Sequence, residues 1–172
     1  MASGKPTILY VTHRVPYPLN KGERIRNFHI LKYLSERAQV YLASLADEPV
    51  SAKTRQVLEQ HAARVEFFPI GGLSRSLRIA RSLAIGRTAT EGAFESPALM
   101  QCLKEWAGSV AFDGMIISSS SLVPYCRSNA LREIPTVVDL IDVDSQKWFD
   151  YAQATKPPKS WLYQREGTRL RS

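Results

Sequence analysis

The sequence predicts an α/β fold, a Rossmann-like open parallel sheet with helices on both faces. Two observations carry that prediction. Short apolar, β-branched runs of five to seven residues recur along the chain, and segments with apolar residues three or four apart separate them, the pattern of stacked βαβ units. Such units close right-handed into a parallel sheet. With 172 residues, 44% of them hydrophobic, the chain holds one ordinary core, and a single domain over 1–172 is expected.

The elements follow in order. Thr7 to Thr12 (TILYVT) is the first buried strand, stopped by the prolines and Asn20 after it. Ile25, Phe28, Leu31, Leu34 and Ala38 line one face of a helix starting near Glu23. Gln39 to Leu45 resumes strand character, Ala52 to Ala63 is helical by pattern and Val65 to Ile70 is a strand. Gly71-Gly72 marks a turn before a helix from Leu73, on which Leu77, Ala80 and Ala84 share a face with Leu73 while Arg75 and Arg78 lie opposite. That apolar stripe is expected to pack on the sheet, although a basic amphipathic helix can also lie on an acidic membrane. Leu99 and Leu103 suggest a helix over Pro97 to Ala107; Gly114 to Ser118 and Ile134 to Asp142 read as strands, and Ser160 to Ser172 as a helix. The chain then ends without a stop signal, as if cut before a last strand.

Net charge is +7 and unevenly spread: up to Gly86 there are 13 Lys or Arg against 6 acids, and from Arg87 onward 10 of each. An excess confined to one half suits either an anionic partner or a solvated basic face. Nucleic acid is disfavoured, because the aromatics are not interleaved with the cations as a stacking platform requires. No apolar run is long enough to span a bilayer and no secretion signal opens the chain, so a cytoplasmic protein is expected. Cys102 and Cys126 have no metal-ligand spacing and are expected to be buried thiols; no metal site is expected.

Several chemistries are excluded. One glycine, Gly22, lies between the first strand and helix, so the dinucleotide fingerprint is missing. Gly4-Lys5 precedes the first strand and is no phosphate-cradling P-loop. Ser118 to Ser121 lack the G-x-S-x-G elbow, and His13, His29 and His61 form no hydrolase signature.

Two constellations remain. In the loop from His13 to Arg26, two prolines stiffen the approach and Gly22 lets a ligand come close. The amides of Glu23, Arg24 and Ile25 beside Lys21 and Arg24 form a candidate diphosphate site, with a plain helix start as the alternative. At the end of the last strand, Asp139, Asp142 and Asp144 cannot all be buried uncompensated. Asp142 or Asp144 is expected either to hydrogen-bond sugar hydroxyls in the cleft, or to cap the next helix and pair with an arginine.

Taken together, Ile8-Leu9-Tyr10-Val11, Pro16-Tyr17-Pro18, Lys21-Gly22-Glu23-Arg24-Ile25-Arg26 with Phe28-His29, Val138 to Trp148 and Trp161 to Gly167 resemble the amino-terminal domain of group 1 (family 4) glycosyltransferases. The similarity spans nearly the whole chain. It is closest to the sugar transferases associated with bacterial exosortase (PEP-CTERM) exopolysaccharide systems. The resemblance implies a GT-B architecture, of which this chain is the acceptor-side half and lacks the carboxyl-terminal donor domain. It implies transfer of a hexose from a nucleotide-sugar, as substrate and with no cofactor, to a glycan or lipid-linked acceptor, and inactivity of this half alone. By position the diphosphate contacts pass to Lys21, Gly22 and Arg24, within a site including Glu23 and Arg26. Where many relatives carry a histidine after the fourth strand this chain has Ser118 and Ser119, which leaves the sugar contact unassigned. Lipid-linked acceptors would give the segment 73–85 a reason to touch the inner membrane face. The alternative is a nonenzymatic α/β module that binds a phospholigand or nucleic acid.

Overall fold

In the computed structural model, which describes residues 4–140 and 144–171, five parallel strands form one sheet. They are β1 (Thr7–Thr12), β2 (Gln39–Ala46), β3 (Arg64–Pro69), β4 (Gly114–Ser118) and β5 (Thr136–Asp139), in the order β3-β2-β1-β4-β5. The register pairs Thr12 with Ser44 on one side and with Ser118 on the other. The chain therefore leaves β1 in one direction, returns, and leaves in the other. A switch of this kind opens a crevice beyond the carboxyl ends of β1 and β4.

Alternation along β1 divides the core. Leu9 and Val11 point to a cluster with Leu45, Met115 and Ile117, covered by α5 (Pro97–Ser109) through Leu99, Leu103 and Trp106. Tyr10 points to the other face, with Val40 and Leu42, beneath Leu31 of α1 (Gly22–Arg37) and Leu58 of α2 (Ala52–Glu59). The strands are nearly continuous apolar runs because helices cover both sides of them.

Three expectations need correction. Ile25 is exposed, and the buried face of α1 begins with Arg24 and Asn27 ahead of Leu31. These polar side chains go inside because the interior offers them partners: the Tyr10 hydroxyl donates to Asn27 Oδ1 at 3.1 Å, and Arg24 meets carboxylates. Burial, aided by the nearby Asp139 carboxylate, holds the Tyr10 phenol well above its ordinary range, so it stays a donor.

The helix α3 (Leu73–Ala84) is turned the opposite way from the expectation. Leu77, Ala80 and Ala84 face outward, and Leu77 is 71% exposed. The inward side is held by polar bonds, Arg78 Nη2 donating to the Ile70 carbonyl at 2.8 Å and Ser82 Oγ to the Thr88 carbonyl at 2.7 Å. It lies against α4 (Ala89–Phe94) at Gly92, where a Cβ would stand 2.7 Å from both the Arg78 carbonyl and Ser82 Cβ. Cys102 and Cys126 are half-buried; burial pushes the Cys102 thiol up to about 11, which keeps it protonated and unreactive.

Short helices the pattern did not show, and the helix expected from Ser160 onward, complete the chain. The short α4 is closed by a capping box between Thr88 and Glu91. A 3₁₀ turn (Ser120–Leu122) runs into α6 (Val123–Cys126), and α7 (Asp144–Gln153) pairs with α8 (Lys159–Arg171). The fully buried Glu166 of α8 accepts from the Ala89 amide at 2.7 Å and so ties α8 to the start of α4. Among the described residues no helix is long and apolar enough to cross a membrane.

Glycine substitutions test the close approach. Gly92→Ala forces α3 and α4 apart and is expected to cost about 1–3 kcal/mol. Gly108→Ala in α5 meets nothing within 4 Å and is expected to stabilise by about 0.5 kcal/mol. Urea unfolding midpoints read both.

Candidate functional site

The site builds outward from the carboxyl edge of β1. Helix α1 starts ten residues after that strand ends, with Lys21 as its extended N-cap residue (φ −139°, ψ 148°) and no side-chain cap. The neighbouring α2, α4 and α5 are closed by the side chains of Ser51, Thr88 and Ser96. The Ile25 amide, expected among the free donors, instead makes the first intrahelical bond of α1, to the Lys21 carbonyl at 3.0 Å. Ahead of it the amides of Gly22, Glu23 and Arg24 form the helix's amino end, where partial positive charge gathers. A Cβ built on Gly22 meets nothing within 4 Å, so the approach to these amides is open.

The cations of the loop are not a bare basic patch. Arg14 Nη1 lies 3.3 Å from Glu23 and 3.5 Å from Asp47, Lys21 Nζ 3.6 Å from Glu48, and Arg24 Nη2 3.3 Å from Glu48 and 3.6 Å from Asp47. Three cations thus face three carboxylates, and the attraction for an anion falls mainly to the amides. Arg24 is 3% exposed and its Nε has no hydrogen-bond partner. It lines a cleft of about 300 Å³ with Tyr17, Asp47, Glu48, Ser51 and Lys53, between the loops that follow β1 and β2. Lys21 is the most exposed of the three cations and the freest to swing onto a ligand.

A second cluster sits where β1, β4 and β5 end. His13 Nδ1 is 2.9 Å from the Ser118 carbonyl and 3.4 Å from its Oγ. Ser119 adopts φ 109°, the left-handed region that a side chain enters at a cost of about 1–3 kcal/mol. It is held there by its amide donating to the Asp139 carbonyl at 2.9 Å and by its hydroxyl 2.9 Å from Ser121 Oγ. Arg26 grips Asp139 in a two-pronged bond, Nε to Oδ2 at 2.9 Å and Nη2 to Oδ1 at 2.6 Å. This fork fixes the azimuth of α1 over the crevice.

The structure thus gathers Lys21, Gly22, Glu23 and Arg24 on the β1–β2 side of α1, and Arg26, Ser118 and Ser119 on the β4–β5 side. Asp142 lies outside the described residues, and of Asp144 the structure describes only the backbone that opens α7. The arginine partner anticipated for one of those two carboxylates belongs to Asp139, the first of the three. His13, Asp47 and Glu48 were not singled out from the sequence. The available signal was their position, directly after β1 and β2, where loops of a parallel sheet carry ligand contacts. Among the described residues no group of three or more His, Cys, Asp or Glu stands close enough to hold a metal ion. No protein-family model matches the chain, and no curated protein matches it significantly.

Burial separates the roles of the two loop cations. Arg24→Ala strands Asp47 and Glu48 beside an emptied, buried position and is expected to cost about 2–3 kcal/mol in urea unfolding. Lys21→Ala, at an exposed pair, is expected to cost less than about 0.5 kcal/mol.

Proposed function

We propose that this chain is the acceptor-side half of a GT-B glycosyltransferase that moves a hexose from a nucleoside diphosphate donor to a glycan or lipid-linked acceptor in exopolysaccharide synthesis. One observation carries the reading: the uncapped amino end of α1, open at Gly22, stands at the carboxyl edge of the sheet beside the loop that follows β2. The sequence resemblance to group 1 glycosyltransferases supports it from a separate direction.

The chemistry follows from charge. In sugar transfer the anomeric carbon takes on oxocarbenium character while negative charge collects on the departing diphosphate. Fixed donors aimed at that charge lower the barrier without reorganising. The amides of Gly22, Glu23 and Arg24 are such donors, and Lys21 can leave Glu48 to add a cation. Arg14, Arg24, Asp47 and Glu48 hold one another and keep the loop in place around the ligand. On the other side of α1, the part-exposed Ser119 hydroxyl and His13 offer hydrogen bonds of the kind a sugar requires, while Ser118 is fully buried and backs His13. A nonenzymatic phospholigand module would use the same amides, so transfer itself has to be tested.

Proline separates the amide contribution from the rest. Lys21 already has the extended backbone that precedes proline, and the first helical position tolerates it. Gly22→Pro therefore removes one N–H donor while keeping the helix. In calorimetric titration, inorganic diphosphate and a nucleoside diphosphate are expected to bind the protein and to lose about tenfold in affinity in Gly22→Pro. Unchanged affinity would refute the amide site. Supplying a donor-binding half with labelled nucleotide-sugar is then expected to put label into a lipid-extractable glycan; binding without transfer would favour the module.

A further inference from the structure

We propose that α3 is a docking surface for an anionic lipid membrane. Between Leu73 and Arg87 the chain carries four arginines and no acid, three of them on α3 itself. Arg75, Arg81 and Arg87 are exposed. Set among them are apolar side chains that the fold leaves in solvent: Leu77 at 71% and Ile85 at 59% exposure, with Ala80 and Ala84 alongside.

This orientation is built in. The opposite side of α3 is committed to the Ile70 and Thr88 carbonyls and to backbone-close packing at Gly92. Rolling the helix to bury Leu77 would break both hydrogen bonds and drive α3 into α4. The exposed stripe is thus an outcome of the polar anchoring beneath it.

Helix α8 extends the surface. Arg165 Nη2 donates to the Arg87 carbonyl at 3.3 Å, the Arg169 guanidinium comes within 3.6 Å of the Cβ position at Gly86, and Trp161 on the same helix is 69% exposed. Charge complementarity selects an anionic partner. The apolar residues between the arginines select its kind. A nucleic acid backbone would neutralise the arginines and leave Leu77 and Ile85 in water. A lipid interface takes both, with phosphate headgroups at the guanidinium groups, aliphatic side chains at the acyl boundary and tryptophan at headgroup level. Each arginine near such a surface strengthens binding roughly fivefold.

The inference stands apart from the transferase reading, since a protein that fails the diphosphate titration can still pass this test. Co-sedimentation with mixed phosphatidylglycerol–phosphatidylcholine vesicles is expected to bring the protein down, and phosphatidylcholine alone is not. Leu77→Asp and Ile85→Asp are each expected to weaken binding by at least about tenfold, and Arg81→Glu by at least about fivefold. Val137→Asp, at an equally exposed apolar site on β5, is expected to leave binding unchanged. All four sites are exposed, and circular dichroism checks that the fold is intact. Equal sedimentation with both vesicle types, or with neither, would overturn the proposal. So would indifference to Leu77→Asp, and an oligonucleotide that binds equally well to Leu77→Asp would assign the arginines to a phosphate backbone instead.

Discussion

Everything at the carboxyl edge of the sheet depends on how α1 is seated, and α1 is seated by polar contacts. Its buried face carries an arginine and an asparagine ahead of its first buried leucine. Such groups are tolerated inside only when paired, because a stranded amide or guanidinium costs more than an apolar contact returns. Asn27 accepts from the Tyr10 hydroxyl on β1, Arg24 lies against carboxylates from the end of β2, and Arg26 is clamped to the end of β5. Three strands thus fix one helix in height and rotation. Hydrocarbon contacts alone would let α1 slide; these directional bonds do not. The amino end is held at one point beside the loop that follows β2.

The same polar anchoring shapes α3 with a different result. In α1 the inward polar groups leave the amino terminus open, whereas in α3 they send the apolar stripe outward. On α1 the apolar residues Phe28, Leu31 and Leu34 still turn to the core, and only α3 departs from the usual amphipathic rule, with Leu77, Ala80 and Ala84 in solvent. The two proposals, an anion at the open end of α1 and a membrane at α3, fit one reaction, the joining of a water-soluble nucleotide-sugar to a lipid-linked acceptor.

The strands were legible in the sequence because parallel strands buried on both faces need continuous apolar runs, and TILYVT, QVYLASL and GMIIS leave little choice of period. The loop after β1 stood out as a candidate site because Gly22, the prolines and the cations stand at the position where such sheets bind ligands. The period on α1 placed Phe28, Leu31, Leu34 and Ala38 on the core side, where they are found, but the burial of Arg24 and Asn27 beside them and the buried face of α3 were not legible. Hydrophobic periodicity assigns the apolar side inward, and it cannot register that Arg24 will meet Asp47, or that Arg78 and Ser82 will find the carbonyls of Ile70 and Thr88. Helix α4 is too short to show a period, although Thr88 and Glu91 at capping-box spacing announced its start. Asp139 was passed over for Asp142 and Asp144, because three acids in a row give no sign of which one an arginine 113 residues earlier will reach.

On the proposed reading a diphosphate rests on the amino end of α1. The most direct measurement is a crystal structure of the protein with a nucleoside diphosphate bound. Phosphate oxygens are expected within about 3 Å of the amide nitrogens of Gly22 and Glu23, with Lys21 turned from Glu48 toward them. A diphosphate bound elsewhere, with the Gly22 amide still facing solvent and Lys21 still on Glu48, would contradict it.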